Sequence, residues 1–90
     1  EPVDEVDVLV PDDLVGTVMS DLSGRRGRVL GSEPVGSDRT LVRAEVPQIE
    51  ISRYSIDLRA ASHGAASLTR SFARYEPMPD NVAQKLLTSE

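Results

Sequence analysis

The first regular pattern in the chain is "VDEVDVLV" (3–10), where Val6, Val8 and Val10 alternate with Glu5, Asp7 and Leu9. A period of two built from β-branched residues predicts a strand with one buried face. Pro11 stops the strand, and Asp12 or Asp13 then offers a carboxylate suited to capping a helix. Leu14, Val15, Val18, Met19 and Leu22 recur at helical offsets, so a first helix is predicted from 13 to about 25.

"RVLGSEPV" (28–35) reads as a second strand, weakened by Gly31 and Pro34 and therefore expected at an edge or bulged. A short "GSD" turn (36–38) leads into "RTLVRAEV" (39–46), a third strand, which makes an antiparallel hairpin. Ile51, Tyr54 and Leu58 keep helical spacing within a second helix predicted over 49–61, closed by "SHG" with Gly64 as its cap. "ASLTRSFARY" (66–75) alternates weakly and reads as a fourth strand, with Leu68 and Phe72 on its core side. After "EPMP", residues 80–88 are expected to form a short amphipathic helix carrying Val82, Leu86 and Leu87.

The order β-α-β-β-α-β folds, by right-handed crossovers, into a four-stranded antiparallel sheet with both helices on one face. This is an α+β, ferredoxin-like sandwich over 1–78, with a tail helix over 79–90. Ninety residues suffice for one such domain.

Composition removes several chemistries. There is no cysteine and one histidine, so disulfides and thiolate or imidazole metal sites are not expected, and a reducing compartment is the simpler setting. No apolar run approaches the ~20 residues of a membrane span. The chain opens on Glu1-Pro2 rather than methionine, which suggests a piece of a longer protein. Its "PDDL" loop after the first strand repels phosphate, and three aromatics (Tyr54, Phe72, Tyr75) are too few for a base-stacking sheet face. Adjacency of Ser62 and His63 does not make a catalytic dyad, so no catalytic residue is assigned.

The net charge of −5 is unevenly spread. The first 21 residues hold seven acids and no base, whereas from Ser23 to Arg74 nine arginines face five acids (Glu33, Asp38, Glu45, Glu50, Asp57). Arg25, Arg26 and Arg28 crowd "SGRRGRV". Arg25 and Arg26 before Gly27 suit a helix carboxyl end with a left-handed glycine cap, while Arg28, already on the next strand, leans toward an anionic contact. Arg59 and the loop "ASHGAAS" after it form a second candidate, because a small polar loop admits close backbone approach and exposed N–H groups can meet a phosphate.

Several blocks in series resemble the C-terminal (fifth) domain of elongation factor G: "EPV", "GTVMSDLSGRRGRVLG", "VRAEVP", "YSIDLRAASHG" and "FARYEPMPDNVAQKL". The resemblance spans essentially the whole chain. It implies a non-catalytic module of a cytoplasmic translational GTPase, monomeric, whose GTP and Mg site lies in another domain of the parent. It further implies docking on large-subunit rRNA near the sarcin–ricin loop and the stalk base, with packing against other domains of the factor. By position the rRNA contacts would be Arg59, Ser62, His63, Gly64 and Ser67, with Arg28 a further candidate. His63 stands where the family usually has glutamine, and Ala65-Ala66 where an Arg-Gly pair is usual. Arg70 replaces a usual apolar residue. These departures suggest a divergent paralogue. A regulatory ferredoxin-like module that dimerises or binds a small effector is the alternative.

Overall fold

The computed structural model describes residues 1–77 of the 90. The chain forms strand β1 (Pro2–Pro11), a 3-10 turn (Asp12–Leu14), helix α1 (Val15–Gly24), then strands β2 (Arg28–Val35) and β3 (Arg39–Pro47). Helices α2 (Gln48–Ile51) and α3 (Tyr54–Ala61) and strand β4 (Ser67–Tyr75) follow. All pairings are antiparallel and the sheet order is β2-β3-β1-β4. The ferredoxin-like α+β architecture is therefore present. The expected tail helix over 79–90 lies outside the described residues.

The period-two pattern of β1 acts as read. Val6, Val8 and Val10 are fully buried and meet Ala44, Val42 and Thr40 of β3, while Glu5, Asp7 and Leu9 take the open face. Val18 and Leu22 of α1 and Ile51, Tyr54 and Leu58 of α2 and α3 close the core from the helix side. Burying a valine or leucine contributes ~1.5–3 kcal/mol. The weakness of β2 is realised as a bulge: Val29 pairs with Ala44 and Gly31 with Arg43, which leaves Leu30 unmatched. A second register shift leaves Ala73 unmatched on β4.

Three local expectations are corrected. Neither Asp12 nor Asp13 caps α1 through its side chain. Asp12 is used to tie the β2–β3 hairpin instead, accepting from Thr40 Oγ1 at 2.7 Å while its own N–H donates to Asp38 O at 2.9 Å. The second helix is two pieces, turned at Ser52–Arg53 without leaving right-handed backbone, so the spacing of Ile51, Tyr54 and Leu58 carries no mark of the break. Gln48 Nε2 donates to the buried Asp4 at 2.7 Å and anchors α2 over β1, whereas α3 runs on toward β4. Phe72 is not in the core. It is 54% exposed on the edge strand, beside Tyr75 with ring centroids 5.1 Å apart.

Candidate nucleic-acid interface

The arginines of "SGRRGRV" are answered inside the domain. Helix α1 ends in a Schellman motif: Arg26 N donates to Ser23 O at 3.2 Å and Gly27 N to Leu22 O at 2.7 Å. The left-handed residue is Arg26, at φ 60°, and not the glycine after it. Gly27 is required for space, since a Cβ there would lie 2.5 Å from the Leu22 carbonyl oxygen.

Arg26 grips Glu1 with two bonds of 2.9 Å and reaches Glu50 at 3.4 Å. Hydrogen bonding to Arg26 holds the Glu1 carboxyl below its usual range. Arg25 lies 4.6 Å over the Tyr54 ring, donates to Glu50 O at 3.2 Å and sits 3.7 Å from Asp57. Burial, and then Asp21, push the Tyr54 phenol up, so it remains a donor, to Asp21 at 3.2 Å.

Arg28 meets Glu45 at 2.5 Å on the open face, and Arg74 meets the same carboxylate from the other side at 2.5 and 3.0 Å. These bonds, Arg74 first, lower Glu45 to a pKa of about 2. Arg43 is paired with Glu33 at 3.0 Å. Arg70 is paired with Asp4 at 3.2 Å, so its charge is spent on the sheet edge.

The tip beyond α3 repeats the same cap. His63, at φ 54°, takes the first left-handed position and Gly64, at φ 83°, the second. His63 N donates to Ala60 O at 3.3 Å, Gly64 N to Arg59 O at 2.8 Å, and Ala65 N to Ser62 O at 3.1 Å. Ser62 is buried; its hydroxyl donates to Arg59 O at 3.3 Å and accepts from Ala66 N at 3.0 Å. The backbone N–H groups of 63–66 are therefore engaged within the loop, contrary to the expectation that they stand free for phosphate. Ser62 holds the tip's shape and does not bond to His63. What the tip offers outward is Arg59, His63 and the Gly64 backbone, with exposed Ser67 starting β4.

The sheet separates the sequence-derived candidates into two groups. Ser67 aligns with Leu9, whereas Arg28 aligns through Glu45 with Glu5. The offset is about 13 Å along the strands, and the sheet adds about 14 Å across three strand spacings. Arg59, Ser62, His63, Gly64 and Ser67 are contiguous; Arg28 stands apart from them and is neutralised.

Among the described residues, Arg39, Arg53 and Arg59 make no ion pair. Arg53, which sequence reasoning passed over, is exposed where α3 begins. Its only signal was position, six residues before Arg59. Among the described residues no cluster of His, Asp and Glu could hold a metal, and no helix could cross a membrane.

A family model described as the elongation factor G C-terminus matches residues 1–86. An elongation factor G-like protein of Mycobacterium tuberculosis is 66% identical over 86 residues, which is 96% of this chain and 12% of that protein. Elongation factor G of Salinibacter ruber is 43% identical over 90 residues, 100% of this chain and 13% of that one. A crystal structure from Thermus thermophilus matches with a TM-score of 0.87 and 39% identity over 99% of this chain and 13% of its own. The chain thus spans 12–13% of the length of these relatives. With sheet order, core and sequence in agreement from β1 to β4, the chain belongs to the elongation factor G C-terminus family.

Proposed function

We propose that this domain is the non-catalytic docking module of an elongation factor G-like translational GTPase. It lays the α3–β4 tip against large-subunit rRNA, in the region of the sarcin–ricin loop and stalk base, during GTP-dependent translocation. The factor acts as a cytoplasmic monomer, and GTP with its magnesium is handled by other domains, against which this one packs. One observation carries the reading: among the described residues, six of the nine arginines are committed to carboxylates, yet Arg59 beside the exposed tip is not. A guanidinium without an internal partner suits a phosphate oxygen.

The reading is tested in a longer factor carrying this domain. Arg59→Glu should lower ribosome-stimulated GTP turnover and ribosome affinity while the domain stays folded, its melting temperature falling only by the few degrees that a reversed charge in the last turn of α3 costs. Wild-type turnover and affinity in that variant would remove Arg59 from the contact.

A further inference from the structure

We propose that the RNA contact extends beyond the tip along the outward face of α3, with Arg53 as a second phosphate-binding residue. The inference rests on the docking reading above and adds a site to it. Tyr54 and Leu58 face the core, so the opposite side of the helix carries Ile56 and Ala60 and runs on to His63, with Arg53, just before the first turn, on one flank and Arg59 on the other. All five are exposed. Arg53 and Arg59 lie six residues apart, about 9 Å along the axis and about 120° around it. Asp57, one turn after Arg53 on the same flank, already has Arg25 3.7 Å away.

Phosphate is the occupant that this face fits. Its two cations, unmatched among the described residues, belong to a chain whose other helix-side arginines, Arg25, Arg26 and Arg70, are already matched. A protein-docking face would carry a cluster of large apolar or aromatic anchors. Among the described residues Ile56 is the sole large apolar side chain on this face of α3, and a single exposed aliphatic is ordinary surface. The stripe is also continuous with the tip, so an RNA backbone meeting Arg59 can cross the outward face obliquely to reach Arg53.

The test uses a longer factor carrying this domain and purified large ribosomal subunits, with binding measured over a range of potassium chloride concentrations. Arg53→Gln and Arg59→Gln are compared with Arg39→Gln, a cation on the hairpin and off the stripe. Each stripe variant should flatten the slope of log K against log salt by about 0.7–0.9, the contribution of one phosphate contact. Arg39→Gln should leave the slope unchanged. A flattened slope for Arg59→Gln with a wild-type slope for Arg53→Gln overturns the extension and leaves the docking reading standing. Wild-type slopes for both overturn the two together. A loss of binding on Ile56→Ala as large as that on Arg53→Gln, without a change in slope, overturns phosphate as the occupant in favour of a protein surface.

Discussion

Replacing Gly27 by alanine should be the most damaging single-methyl change in the domain. The new Cβ would stand 2.5 Å from the Leu22 carbonyl oxygen, 3.1 Å from that carbonyl's carbon and 3.0 Å from Val46 Cγ2. Two of these atoms are helix backbone, so no flexible side chain can swing away. Relief requires pulling β2 off the end of α1, which breaks the 2.7 Å bond from Gly27 N to Leu22 O. Overpacking of this kind costs ~1–3 kcal/mol, and the lost capping bond ~1 kcal/mol. The sum, about 2–4 kcal/mol, is a large part of the ~4–13 kcal/mol expected for a domain of this size. At ~4–8 °C per kcal/mol the melting temperature should fall by roughly 10 °C or more.

Thermal and urea unfolding followed by circular dichroism would measure the loss. Gly24→Ala is the internal control, because nothing lies within 4 Å of its Cβ position and the residue is helical. That substitution should stabilise by up to ~1 kcal/mol. Gly27→Asn should be no better than Gly27→Ala, since the obstacle is space and not a left-handed backbone. A Gly27→Ala melting temperature within a degree or two of wild type, or rescue by asparagine, would refute the reasoning.

Three further outcomes are expected. Glu45 has its folded pKa lowered to about 2, so its contribution is complete above the unfolded value of about 4.3 and is lost as pH falls toward the folded one; unfolding titrations from pH 6 to 2 should show that loss, and Glu45→Gln should flatten it. Ser62→Ala leaves the buried Ala66 N–H without its acceptor and should cost ~1–3 kcal/mol in urea unfolding. His63→Gly should raise stability by roughly 0.5–1 kcal/mol by removing a side chain from left-handed backbone, a gain readable as a higher melting temperature.

The sheet was legible because its signals are local and repetitive. Val6, Val8 and Val10 announce a one-sided strand, and Gly31 with Pro34 announces a flawed edge. The break at Ser52–Arg53 was invisible because both residues keep right-handed angles, so the apolar spacing passes through it undisturbed. Ala73's bulge and the exposure of Phe72 depend on which strand ends a sheet, which alternation alone does not record. The candidate site was legible in part. Arg59, His63 and Gly64 stood out as a helix end, and they are one.

The fate of Arg25, Arg26 and Arg28 could not be read, because Glu1, Glu45, Glu50 and Asp57 approach them from distant sequence. A charge run in one dimension says nothing about counter-charges delivered by folding. Capping glycines mislead for a related reason. At both helix ends the left-handed backbone begins one residue early, on Arg26 and His63, where the pattern pointed to Gly27 and Gly64.

Glu45 has a consequence for how the sheet comes apart. Its neighbours Arg28 and Arg74 belong to β2 and β4, the two outermost strands, and a single carboxylate answers both. Fraying at either margin releases one guanidinium and alters the hold on the other, so the opposite borders of the sheet are mechanically linked through its middle. Amide exchange near Arg28 and near Arg74 should therefore quicken together when that shared anchor is removed, even though the two strands are not paired with each other.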